Sequence, residues 1–279
     1  PDFVRRQTAR FCKAGAGAVL APTLAANRSA LASLGLESRV RELNAGVLRL
    51  VAEGAGGLPV GARIGPSGIA FSYEEADCFD EIFAVYREQI RILDEAGASF
   101  LMIERQTSLA DMRAAMLAAR STDLPVFVTM TPDPFSDTDE LLPPLITLQA
   151  MGAAVIGVDN LPVSDAQERL RELFPHAEVP LAARLSALQA ASPEAYAENA
   201  ALLARAGACV FGAGEGGTPA FTAALAARCP SFPVPEPHEA ACRAAAEGQF
   251  RDLPEQAAAL PEVMLAAGAL LRKLKELQK

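Results

Sequence analysis

The chain has 279 residues, 51% of them hydrophobic, and a formal net charge of −9. That length suits one (β/α)8 barrel with a full core, and the apolar content excludes a largely disordered chain. The acidic balance, with no block of consecutive Lys or Arg, argues against a nucleic-acid partner.

The predicted elements follow a repeated grammar. Ala14-Gly15-Ala16 closes a helical stretch and precedes an apolar run at 18–23. Leu58-Pro59-Val60 opens the next run, since Pro is tolerated at the first position of a strand. A long amphipathic helix is expected over 73–96, with Phe79, Phe83, Tyr86, Ile90 and Leu93 at helical spacing. Ala96-Gly97-Ala98 then repeats the first phrase before the run 100–104, and Ser108 is placed to cap a helix to 119, with Asp111 three residues on. Leu124-Pro125-Val126 opens another strand. Gly152-Ala153-Ala154 precedes 155–159, and Val179-Pro180-Leu181 opens the one after. Ser192-Pro193-Glu194 is a helix start: cap, Pro at the first turn, acid behind it. Ala206-Gly207-Ala208 precedes the run 209–213, and Thr218-Pro219 opens a further helix.

The runs are continuously apolar rather than alternating, as in strands covered on both faces of a parallel sheet. The glycines at 97, 152 and 207 recur every 55 residues, which fits two βα units per step. The strands number seven, so a closed barrel needs one more before Pro1. A doubly wound open sheet is the alternative, but no G-x-G-x-x-G loop follows a first strand. The expected organisation is a barrel over 1–228, then a Pro-rich connection and two Ala-rich helical stretches over 229–279.

Cys12, Cys78, Cys209, Cys229 and Cys242 are odd in number, with no C-x-x-C pair. They read as free thiols in a reducing cytoplasm rather than a disulfide framework or zinc ribbon. No signal segment and no run of about 20 apolar residues is present, so a cytoplasmic location with no membrane partner is expected. His176 and His238 read as surface residues.

Barrel active sites lie at the carboxyl ends of the strands. The residues expected there are Thr23 and Asn27, Arg63, Glu104 and Arg105, Thr129 and Thr131, Asp159 and Asn160, Arg184, and the glycine-rich loop 212–217 carrying Glu215. Three guanidinium groups around one mouth favour a carboxylate or phosphate ligand. Three readings stay open: an ion-pair network that closes the pocket, an anion site, or acid/base catalysis by Glu104 or Glu215. The remaining candidates, Thr23, Arg63, Arg105, Asp159, Asn160 and Arg184, would bind substrate.

Several phrases occur in order: A-G-A-x-x-x-x-x-x-T-x-x-A-N from Ala14 to Asn27, I-G-P-S-G from Ile64, Y-R-E-Q-I-x-x-L-x-E-A-G from Tyr86, I-E-x-x-x-x-L-x-D from Ile103, I-G-V from Ile156 and G-x-x-x-G-x-T-P from Gly212. Together they resemble the homocysteine-binding barrel of the homocysteine S-methyltransferase and methionine synthase family. The resemblance implies methyl transfer to the sulfur of homocysteine from a donor such as a folate, a corrinoid protein or a sulfonium compound. It also implies zinc held by three cysteines, because zinc stabilises the thiolate nucleophile. The positions corresponding to those cysteines carry Asn160, Gly214 and Glu215. Asn is a poor zinc ligand and Gly has no side chain, so no zinc and no other cofactor is expected. Ala21-Pro22, Arg63, Arg105 and Ala182-Ala183-Arg184 also depart from the family pattern, and the family's opening Asp-Gly is not in this sequence. The expected function is therefore a divergent, zinc-free methyltransferase-type barrel with an altered, anionic substrate. A non-catalytic barrel binding a small anion or a partner protein is the alternative.

Overall fold

A computed structural model describes residues 1–70, 78–131 and 141–233. The chain divides into a compact unit, Pro1–Pro237, and a second, His238–Lys279. The expected C-terminal helices and His238 lie outside the described residues, as do 73–77 of the expected long helix.

Seven strands form one parallel sheet in sequence order: β1 (Val19–Ala21), β2 (Val60–Ile64), β3 (Phe100–Gln106), β4 (Val126–Met130), β5 (Val155–Asp159), β6 (Leu181–Leu185) and β7 (Ala208–Ala213). Helices connect them. They are α1 (Asp2–Lys13), α2 (Arg28–Ala32), α3 (Val40–Gly54), α4 (Cys78–Glu95), α5 (Leu109–Ala119), α6 (Leu142–Ala150), α7 (Val163–Leu173), α8 (Pro193–Arg205) and α9 (Pro219–Arg228). Consecutive parallel neighbours throughout overturn the doubly wound alternative, which needs a reversal of strand order. The result is an α/β, barrel-like sheet. Among the described residues no strand pairs with the outer edges of β1 and β7.

Alternation along each strand separates two cores. Ala62, Ile64, Leu101, Ile103, Val128, Met130, Ile156, Val158 and Leu185 pack outward into the main hydrophobic cluster with the helices. The intervening residues face inward. Phe100 stacks on Phe127 with ring centroids 4.8 Å apart. Together with Leu20, Met102, Ala182 and Val210 they line a cavity of about 980 Å³. The cavity lies on the side where β1 and β7 are unpaired, and β7 is half-buried along most of its length, whereas β6 is buried throughout.

The helix boundaries have local causes. Ser108 Oγ accepts from the Asp111 N–H, and Ser192 Oγ from the Ala195 N–H, satisfying first-turn donors that have no intrahelical partner. Thr218 precedes α9 without a side-chain cap bond. The repeated glycine turns have φ of +92° at Gly15, +89° at Gly97, +94° at Gly152 and +112° at Gly207, a region open to glycine at little cost. His176, expected on the surface, is half-buried, and its carbonyl accepts from Gln149. It follows α7, whose return places it at the amino end of β6, away from the mouth.

Candidate functional site

The inward positions at the carboxyl ends of the strands form a polar layer above the apolar interior. Arg63 lies on β2 one residue before its end, Glu104 on β3, Thr129 on β4, Asp159 on β5 and Arg184 on β6. Glu104 is fully buried and forms ion pairs with both arginines, through Arg63 Nε and Arg184 Nη1. Arg184 is itself buried, with Nη2 directed at the Ala213 carbonyl, 3.5 Å away. Burial first, and then the neighbouring Arg63, bring the Arg184 guanidinium down to about 10. Burial also lowers Arg63, opposed by the Asp159 carboxylate. Arg63 retains partial exposure and, like Arg184, lines the cavity.

Asp159 is 1% exposed. Its Oδ2 accepts from Thr129 Oγ1 at 3.3 Å, and the Arg105 main-chain N–H also donates to its carboxylate. Its Oδ1 has no hydrogen-bond partner among the described residues. Burial pushes the carboxyl up, against those hydrogen bonds and the charges of Arg105 and Arg63. Two non-glycine residues sit in the left-handed region here, Arg105 at φ +59° and Asn160 at φ +55°. Such conformations cost free energy and concentrate at functional sites. At Arg105 the turn directs the main-chain N–H to Asp159 while the side chain leaves for the rim, 3.5 Å from Glu215.

Thr23 and Asn27 stand behind this layer. Thr23 is fully buried, and its hydroxyl donates to the Arg63 carbonyl at 2.8 Å and accepts from the Arg63 N–H at 3.0 Å. Asn27 caps α2 and donates to the Pro66 carbonyl. Other residues of the recognisable phrases do similar work. Gln89 donates to the Thr23 carbonyl, and Tyr86 donates to Asp111 Oδ1 at 2.6 Å, which also accepts from the Ser67 N–H. These residues join the loops after β1, β2 and β3 to the helices.

The structure therefore brings Arg63, Glu104, Asp159 and Arg184 together inside, with Arg105 and Glu215 above them on the rim. Thr129 belongs to the inner set through its bond to Asp159, although strand-end position was its only sequence signal.

The positions expected for zinc converge too, but not as a ligand set. Asn160 Oδ1 accepts from the Glu215 N–H at 3.4 Å, and the Glu215 side chain is turned to Arg105. A Cβ on Gly214 would lie 2.7 Å from Asn160 Oδ1. Among the described residues no group of three or more His, Cys, Asp or Glu could hold a metal ion. Amide, glycine and a lone carboxylate do not fit zinc at this place. Cys209, which could in principle have supplied a thiol, is half-buried at the strand irregularity near the start of β7, and burial pushes its thiol up.

The model of the homocysteine S-methyltransferase family matches residues 1–229. The chain belongs to the homocysteine S-methyltransferase family. Solved structures carry the same fold. The homocysteine methyltransferase MmuM from Escherichia coli superposes in its oxidized form with a TM-score of 0.72 at 20% identity, covering 82% of this chain and 85% of that one. Its metallated form gives 0.71 at 20% identity with the same coverage. The apo form gives 0.68 at 22% identity, covering 82% of this chain and 86% of that one. Identities this low establish the shared fold and leave the site to be argued from its own residues. No curated protein matches the chain. No helix among the described residues is long and apolar enough to cross a membrane.

Proposed function

We propose that this member of the homocysteine S-methyltransferase family is a divergent, zinc-free methyltransferase-type barrel acting on an altered, anionic small molecule. The observation that carries the reading is the Arg63–Glu104–Arg184 cluster, with Glu104 and Arg184 buried, at the mouth of a fold whose expected zinc positions hold Asn160, Gly214 and Glu215. Glu104 orients two guanidinium groups, and a guanidinium facing a cavity recognises carboxylate or phosphate by paired hydrogen bonds. Arg63 is the more accessible of the two and would make first contact. Asp159, Asn160, Arg105 and Thr23 shape the surrounding wall. Glu104 and Glu215 are the acid/base candidates, and of these Glu215 has the exposure to reach a ligand. The methyl donor would be a folate, a corrinoid protein or a sulfonium compound in the cytoplasm. The same reading takes the seven strands as part of a (β/α)8 barrel, with the first strand's place between β1 and β7.

A methyl-transfer assay across the three donor classes, with thiol and non-thiol acceptors bearing a carboxylate, tests the activity. Turnover that is unchanged by chelation and lost in Arg63→Ala supports the reading. No turnover with any pair sinks it.

The second reading is a non-catalytic anion-binding barrel. It is favoured by the pairing of Glu104 with two arginines, which leaves that carboxylate little freedom to move protons. It predicts anion binding by calorimetry that weakens when Arg63 and Arg105 are replaced by Ala, without turnover.

A further inference from the structure

The loop after β7 lacks the donor set that a zinc ion would need, yet it is bound to its neighbours at several points. The Gly214 N–H donates to the Leu185 carbonyl at 2.7 Å, and the Glu215 carbonyl accepts from the Ala187 N–H at 2.8 Å. The Asn160 N–H donates to the Arg184 carbonyl at 2.9 Å, so Asn160 is fastened to the end of β6 by its main chain. Its φ of +55° belongs to a region Asn tolerates better than most residues. From there Oδ1 reaches the Glu215 N–H, against the bare α-carbon of Gly214.

We infer that Asn160 and Gly214 are a complementary pair, in which the Asn160 amide fills the space that a side chain at 214 would need and clasps the end of β5 to the loop after β7, holding that loop without a metal. Each residue makes the other necessary. A Cβ at 214 displaces the amide, since 2.7 Å is closer than a carbon and an amide oxygen can approach without one of them moving. Loss of the amide leaves the Glu215 N–H without its side-chain acceptor. Asn160 is thus a positioning residue: it sets the main chain from which the Glu215 carboxylate points to Arg105.

The inference rests on the metal-free reading of the mouth, but its test reads folding and metal content rather than turnover. The test is a double-mutant cycle of Gly214→Ala and Asn160→Gly, followed by thermal melting of the purified full chain. Glycine at 160 removes the amide without straining the positive φ. The close Leu185 carbonyl, 3.0 Å from the added Cβ, is present in both backgrounds and cancels. The expected result is a larger fall in melting temperature for Gly214→Ala beside Asn160 than beside Gly at 160. If the single variant fails to fold, a folded double variant gives the same support. Equal falls in the two backgrounds overturn the clasp. So does stoichiometric zinc retained by the unmutated chain through dialysis, whether or not any methyl transfer is seen.

Discussion

Glu104 on β3 and Arg184 on β6 form an ion pair across the inside of the sheet, with two strands between them in the sheet order. Neighbouring strands are about 4.8 Å apart, so three steps in a flat sheet span about 14 Å, and side chains standing off one face of such a sheet run parallel to each other rather than meeting. The pair exists because the sheet curls. It places a carboxylate and a guanidinium, each almost wholly withdrawn from water, at the centre of the mouth.

Glu104→Ala leaves Arg184 buried beside Arg63 with no carboxylate between them. Removing one partner of a buried pair costs about 3–5 kcal/mol. Urea unfolding should show that loss. Replacing Glu104, Arg63 and Arg184 together by Leu or Met should recover much of it. A loss below about 1 kcal/mol for the single variant would mean that water reaches the pair.

Asp159 makes stability depend on pH. Burial raises its folded pKa above the ordinary 3.8, so the folded chain holds this proton more tightly than the unfolded chain. Its contribution is fully present below the unfolded pKa and declines as pH rises through the folded one. Asp159→Asn should remove that decline. The check is the difference in unfolding free energy between the two proteins, followed upward from about pH 4. A difference that does not change with pH would refute it.

Changing Asn160, Gly214 and Glu215 together to Cys removes the clasp and supplies three thiolates at the positions where the sequence resemblance expects zinc ligands. The triple variant should acquire stoichiometric zinc, measured by metal analysis after dialysis, while Gly214→Cys alone should acquire none and melt at lower temperature. Zinc in the single variant would show that the position is already open to metal.

Gly207→Ala should destabilise by at least about 1–2 kcal/mol, the ordinary cost of forcing an L-residue into positive φ. At Gly207 φ is +112°, and a Cβ would also lie 2.6 Å from the Phe174 ring. Chemical denaturation measures it. A neutral substitution would mean that the turn before β7 reshapes freely.

Much of the fold was legible because its signals are local. Glycine before each odd-numbered strand and Pro at the head of each even one mark where the chain turns, and both act through their own backbone geometry. The caps at Ser108 and Ser192 were legible for the same reason. The site was legible as positions but not as partnerships. Arg63, Glu104 and Arg184 could each be placed at a strand end, yet their union depends on the curl of the sheet and on inward alternation. Thr23 looked like a mouth residue and instead spends its hydroxyl on the Arg63 main chain, a distinction made by one backbone turn.

By itself, the sequence determined the parallel α/β plan and the order of its units, because these follow from local conformation and residue chemistry, and the resemblance it carries set the expectation that Asn160, Gly214 and Glu215 stand in place of zinc cysteines. Only the tertiary structure decided that Glu104 is shared between two arginines, that Asp159 keeps one buried oxygen unpaired, and that Asn160 lies against Gly214. Those relationships join residues too far apart for any spacing rule to follow: Arg63 to Glu104 is 41 apart, Glu104 to Arg184 is 80, and Asn160 to Gly214 is 54. They arise when the curved sheet brings its carboxyl ends together around one axis.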